Sequence, residues 1–242
     1  MSNSPLVDVS VPADPSNYTH GRAGVPIRRV TVHHMAGVLS AEECGSIFQN
    51  PGRGGSSHYG VGKDGRIGLY VDEENIAWTN SNWNSNCESV TIETSNSAIG
   101  GDWPVSDATF DSLVRLVADI ANRNGLGVLV PGDNLTWHSM FTSTSCPGRC
   151  LLSRMQLIAD RANEINSKPT PAPTPTPTPT EIHAGDTVRP TRLVDYDGTP
   201  LIQYDDTYVV TELIGDRAVC CANRGGNMIV WAAMHVSDLE KV

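Results

Sequence analysis

The sequence contains no stretch approaching the roughly 18 consecutive apolar residues of a membrane-spanning helix, which argues against membrane insertion. Clusters of lysine and arginine are missing too. With 17 basic and 27 acidic residues the formal net charge is −10, so the basic footprint that nucleic acid or an anionic membrane surface demands is not there. The opening Met1-Ser2-Asn3-Ser4-Pro5 has neither the basic start nor the apolar core of a secretory signal, and the expectation is synthesis without export. Cysteine is sparse and irregularly placed, at positions 44, 87, 146, 150, 220 and 221. Without a secretory context the default is reduced thiols, five of them small apolar packing residues; a Cys44–Cys87 or Cys146–Cys150 bridge formed outside a cell is the alternative. What is present, 242 residues of which 39% are hydrophobic, suffices for a sizeable core and predicts two domains.

Residues 1 to about 27 are polar and without sustained period, and read as an irregular arm. Arg29 to Gly37 is rich in β-branched residues and reads as a buried strand. Alternation along it sends His33 and His34 to opposite faces, so only one is expected to face a site. Ser40-Ala41-Glu42-Glu43 is a capping box opening a short helix. Ser57 to Gly62 and Ile67 to Val71, separated by Lys63-Asp64-Gly65-Arg66, form a hairpin. Asn75 to Asn86 reads as a loop presenting Trp78 and Trp83. The next strand, Ser89 to Thr94, carries Glu93, which either faces solvent or is a carboxylate turned toward a site; inward, it needs a cation near it. A helix capped by Ser106 runs to about Asn124, a short strand Leu135-Thr136-Trp137 delivers His138, and a last helix spans about Cys150 to Asn166, presenting Leu151, Met155, Ile158, Ala162 and Ile165 to the core. Strands interleaved with amphipathic helices predict an α/β domain with a central mixed β-sheet flanked by α-helices.

The segment Trp137 to Arg149 places an imidazole and a thiol eight positions apart across small hydroxyl residues before Pro147-Gly148 ends it. His and Cys converging on one point suit zinc, and a third ligand is then expected from a rigid strand.

Taken together, Val32-His33-His34, Ser57-His58-Tyr59 before the Lys63-Asp64-Gly65 turn, Val90-Thr91-Ile92-Glu93, and His138 followed by Cys146-Pro147-Gly148-Arg149 resemble the zinc-dependent N-acetylmuramoyl-L-alanine amidases, whose superfamily includes the animal peptidoglycan recognition proteins. The resemblance covers about residues 27 to 165, with the motifs in order. It implies zinc held by His33, His138 and Cys146 with one position open to water, Glu93 as general base, and cleavage of the amide between muramic acid and L-alanine in peptidoglycan. Three protein ligands and an open position are also what a catalytic zinc site requires on general grounds. Two departures stand out. Many relatives carry a catalytic Tyr one residue before the hairpin His, where this chain has Ser57, with Tyr59 as candidate substitute; two residues before the Cys ligand some relatives have an oxyanion-stabilising Lys and others a Thr, and this chain has Thr144. His34 and His58 are assigned no chemistry beyond support.

Residues 167–181, Ser-Lys-Pro-Thr-Pro-Ala-Pro-Thr-Pro-Thr-Pro-Thr-Pro-Thr-Glu, form a Pro/Thr spacer reaching on the order of 40 Å at about 3.1 Å per residue. They divide a catalytic domain, 1–166, from a short-strand module, 182–242, that resembles the bacterial SH3-like cell-wall-binding barrels. There Tyr196, Tyr204, Tyr208 and Trp231 either line a groove or fill the core. This organisation resembles a bacteriophage endolysin, made in the host cytoplasm and acting on the wall after release. Two other readings remain open from the residues: a non-catalytic peptidoglycan-binding protein, against which Cys146 speaks, and a thiol hydrolase with Cys146 as nucleophile and His138 as base.

Overall fold

In the computed structural model, which describes residues 2–167 and 182–242, the chain divides into two units, Met1–Pro169 and Thr170–Val242. The spacer expected over 167–181 lies outside the described residues except for Ser167, which ends a helix. Among the described residues no helix is long and apolar enough to cross a membrane.

The first unit is built on a six-stranded mixed sheet. Its strands are β1 (Val9–Ser10), β3 (Arg29–His34), β4 (Tyr59–Val61), β5 (Ile67–Leu69), β7 (Ser89–Thr94) and β8 (Leu135–Trp137), in the order β1-β5-β4-β7-β3-β8. A separate pair joins β2 (Tyr18–Thr19) to β6 (Ile76–Ala77). The helices are α1 (Ala41–Phe48), α2 (Trp83–Glu88), α3 (Asp107–Arg123), α4 (Gly148–Leu152) and α5 (Met155–Ser167). Strands β4, β7, β3 and β8 run parallel, and the β4–β5 hairpin supplies the antiparallel pair. Parallel strands need both faces covered. One face of the sheet is buried by α3, whose Leu113, Val114 and Val117 join Val30, Val32, Val90 and Ile92 in a single apolar cluster that also takes in Leu151 and Ile158. A second, smaller cluster forms where α1 contributes Cys44 and Phe48 against Tyr70 and Ala13.

Helix ends follow the sequence closely. Ser40 accepts from the Glu43 N–H while the Glu43 carboxylate accepts from the Ser40 N–H, completing the capping box. Ser106 caps α3 through the Thr109 N–H. Three expectations need correction. The arm over residues 1–27 is not wholly irregular, because β1 pairs with β5 and β2 with β6. The Asn75–Asn86 loop gives way to β6 and then to α2, capped by the Asn82 side chain. The last helix is two helices, broken at Ser153-Arg154, and Ile165 points to solvent with 42% of its surface exposed.

The second unit is a five-stranded antiparallel sheet of β9 (Thr187–Pro190), β10 (Tyr208–Ile214), β11 (Arg217–Arg224), β12 (Asn227–His235) and β13 (Leu239–Lys241), ordered β12-β11-β10-β9-β13. The four aromatics divide: Tyr208 is buried and stacks on Trp231 at 3.9 Å, Tyr196 stacks on His235 at 4.0 Å, and Tyr204 is exposed.

The six cysteines are free thiols; the Cys44–Cys87 and Cys146–Cys150 pairings do not form.

Candidate active site

The site grows out of strand register. β3 and β7 pair in parallel with Thr31 beside Thr91 and His33 beside Glu93, and β8 sets Thr136 beside Thr31. Because side chains alternate, His33 and Glu93 fall on the face that carries Thr31, Thr91 and Thr136, while Val30, Val32, Val90 and Ile92 turn into the core under α3. His138, two residues beyond Thr136, follows at the carboxyl end of β8. Carboxyl ends of parallel strands are where α/β sheets hold their ligands. The cleft here, about 430 Å³, is lined by His33, His138, Glu93, Thr144 and Cys146 among others.

The 137–149 segment closes on itself: the Ser139 N–H donates to the Cys146 carbonyl (3.1 Å), and the Cys146 N–H donates to Thr144 Oγ1 (3.2 Å). This brings the thiol back toward the sheet. Cys146 Sγ lies 3.7 Å from His33 Nδ1 and accepts from the His34 main-chain N–H at 3.4 Å. The His33 and His138 rings are 4.4 Å apart, and one donor atom from each of His33, His138 and Cys146 lies within 4.8 Å of the others.

Two buried atoms in this cluster have no partner, Nε2 of His138 and Oε2 of Glu93. A buried polar atom left unpaired is costly, and two facing one cleft mark a place built for something else. The electrostatics agree. Burial, then the neighbouring His138, lowers the His33 pKa to about 3, and burial lowers that of His138. Both imidazoles are therefore neutral, as metal ligands must be. Burial pushes the Cys146 thiol up, with Glu93 adding to it, and raises Glu93 to about 8 against an opposing pull from Arg53. A thiol and a carboxylate each held back from ionising want a cation between them. Two neutral imidazoles and one sulfur are a donor set that zinc takes readily.

Several residues lie where the sequence did not place them. Tyr59, expected as a catalytic substitute, is fully buried away from the cleft. Its hydroxyl donates to Glu73 Oε1 (2.6 Å) and accepts from the Ser4 N–H (2.9 Å), and Glu73 in turn pairs with Arg123 at 2.6 Å. The hairpin strand's alternation carries Tyr59 into the core under α3, where this network anchors the N-terminal arm. Ser57 is also buried, donating to the Thr91 carbonyl at 3.0 Å. His34, expected to turn away, lines the cleft after all, because its strand ends there. Its Nδ1 meets Asn96 Oδ1 at 3.2 Å and its ring meets Trp103 edge-on at 4.8 Å. Trp103 is held against Gly148, whose φ of +82° suits glycine and where any Cβ would come within 2.7 Å of Trp103 Cβ. His58 lies just before β4 and braces the sheet, its Nδ1 accepting from the Thr91 N–H and its Nε2 meeting Arg22.

Sequence reasoning missed Asn80. Its Oδ1 accepts from His33 Nε2–H at 2.8 Å, which fixes the tautomer and leaves Nδ1 unprotonated, with its lone pair toward Cys146. Asn80 is itself held by Ser89 Oγ (3.3 Å) and Asn86 Oδ1 (2.8 Å). Nothing local in Thr79-Asn80-Ser81 signals this; only the fold brings the loop over β3.

Residues 23–149 match the family described as N-acetylmuramoyl-L-alanine amidase, more than half of the chain and all of the cleft residues discussed above. The chain belongs to this amidase family. It is accordingly a peptidoglycan hydrolase, with the N-acetylmuramoyl–L-alanine amide as the bond it cleaves. Solved structures share the fold. PlyL is 22% identical with a TM-score of 0.52, covering 63% of this chain and 94% of its own. The PlyG catalytic domain is 22% identical with a TM-score of 0.55, covering 69% and 100%. A mutant endolysin from Bacillus subtilis is 20% identical with a TM-score of 0.53, covering 65% and 99%. No curated protein sequence matches the chain.

Proposed function

We propose that the amidase is an endolysin-type, zinc-dependent enzyme in which His33, His138 and Cys146 hold the metal, and that residues 182–242 form an SH3-like module binding the bacterial wall. The observation that carries the reading is the unpartnered, buried Nε2 of His138 beside His33 Nδ1 and Cys146 Sγ. Zinc bound there would supply Lewis-acid polarisation of the scissile carbonyl and lower the pKa of a coordinated water to about 7.

The chain's own groups do the rest. Asn80 orients His33, and the His34 N–H stabilises the Cys146 thiolate. Glu93 Oε2, free of protein partners and in the same cleft, takes the proton from the attacking water and delivers it to the departing alanine nitrogen. Thr144, which also lines the cleft, donates its hydroxyl to charge developing on the carbonyl oxygen. Tyr59 takes no part.

Removing the metal tests the assignment. A strong chelator should abolish release of stem peptide from purified walls, and added zinc should restore it. Release that persists through chelation but is lost to thiol alkylation would instead make Cys146 a nucleophile. Absence of released peptide under all conditions would leave a binding protein. Replacing Asn80 with alanine should weaken zinc affinity by about 10–100-fold, the usual effect of losing a ligand's hydrogen-bond partner; competition with a chromogenic chelator would measure it, and unchanged affinity would return Asn80 to a purely structural role. The wall-binding half of the proposal is checked by co-sedimentation of residues 182–242 with purified walls.

A further inference from the structure

Strand order sets β3 between β7 and β8, so the segments leaving the carboxyl ends of β7 and β8 have to reach across the end of β3 to meet. They meet at Trp103. Its φ of +56° lies in the left-handed region, which a bulky residue enters only where its surroundings over-determine it. Three bonds hold the turn. The Trp103 N–H donates to the Gly100 carbonyl (3.1 Å), the Asn96 side-chain amide donates to the Trp103 carbonyl (3.1 Å), and the Ser97 N–H donates to the Pro104 carbonyl (2.7 Å).

So held, the half-buried indole reaches both flanks of Cys146. On one side its ring meets His34 edge-on at 4.8 Å, and the His34 main-chain N–H donates to Cys146 Sγ at 3.4 Å. On the other it covers Gly148, two residues past the thiol, where any Cβ would come within 2.7 Å of Trp103 Cβ and 3.2 Å of Cδ1. Next to it the Asp102 carbonyl accepts from the Cys150 N–H at 2.9 Å. The bonds from Ser139 N–H and to Thr144 Oγ1 close the 137–149 segment on itself; the contacts of Trp103 and Asp102 tie that segment to the loop that follows β7.

We propose that Trp103 is a positioning residue that clamps the Cys146 segment onto the end of β3, so that the thiol stands beside His33 and His138 before a metal arrives. This rests on the reading of Cys146 as a zinc ligand. Trp103 acts through the segment and touches neither the donor atoms nor the bond to be cleaved. A donor ordered in advance spares binding the cost of ordering it, so the effect of the clamp falls on metal affinity.

Alkylation of the metal-free, full-length protein, followed cysteine by cysteine by mass spectrometry, reads the clamp without the metal. Cys146 and Cys44 are both buried, but only Cys146 lies in the clamped segment, so Cys44 reports any general loosening of the fold. Trp103→Gly removes the indole and leaves the left-handed backbone to the residue best suited to it. The Cys146 rate should rise about tenfold with the Cys44 rate unchanged, and zinc affinity, measured by chelator competition, should fall by about 10–100-fold. Trp103→Phe, which keeps a ring between His34 and Gly148, should stay close to wild type in both. Cys146 and Cys44 rates that rise together would make Trp103 an ordinary packing residue. A raised KM with alkylation and zinc affinity unchanged would make it a substrate contact. Either result, or a Trp103→Gly protein indistinguishable from wild type, would overturn the inference while the ligand assignment stands; a wild type that binds no zinc would overturn the assignment on which it rests.

Discussion

Replacing Cys146 with serine should remove metal and activity together. A serine hydroxyl stays protonated at neutral pH, whereas zinc takes sulfur as thiolate. The two side chains are close in shape, and the loop is positioned by main-chain bonds that do not involve the sulfur, from Ser139 N–H to the residue 146 carbonyl and from the residue 146 N–H to Thr144 Oγ1. The variant should therefore fold and keep its imidazoles in place, with two ligands where three are needed. Zinc content by atomic emission should drop to a small fraction of one per chain. Turnover should fall by more than about a hundredfold, beyond the usual effect of losing an outer partner of a metal ligand. The paired readout matters, because a nucleophilic cysteine would also lose activity on this substitution. Full zinc occupancy with no turnover would favour the thiol mechanism; full occupancy with normal turnover would remove Cys146 from the chemistry altogether.

Glu93→Gln should separate metal binding from proton transfer. Register places Glu93 next to His33 on the same face of the sheet, and a glutamine there keeps the shape while losing the ability to accept the water's proton. The variant should bind zinc normally, with kcat down by about 10²–10⁴, the typical contribution of a positioned general base. KM should change little, as expected for an interaction made in the transition state rather than in the bound substrate. Turnover within a few-fold of wild type would assign the proton transfer to another group.

How much of this was readable in the chain depends on whether a residue's partners are local. The capping box at Ser40–Glu43, the Ser106 cap and the β4–β5 hairpin lie within a few residues of the groups they satisfy, and all three formed as read. The alternation in Arg29–His34 and Ser89–Thr94 also set the inward faces, because parallel pairing puts His33 and Glu93 side by side once both strands exist. Tyr59 failed for a related reason. Its position relative to the hairpin turn was legible, but which face of β4 meets α3 is a property of the packed sheet. Asn80 sits in a loop of threonine, asparagine and serine that carries no periodic signal, and its role arises from a contact with a residue 47 positions away in sequence. His34 shows the limit of alternation, since at the end of a strand both faces border the same cleft.

The central claim is that three side chains converge to hold one zinc ion. Anomalous diffraction from crystals of the full-length protein, recorded on either side of the zinc absorption edge, addresses it directly. A single peak is expected in contact with His33 Nδ1, His138 Nε2 and Cys146 Sγ, at distances of about 2.0–2.1 Å to nitrogen and about 2.3 Å to sulfur. No peak at that position after soaking in zinc, or a peak bound by other residues, would contradict the account.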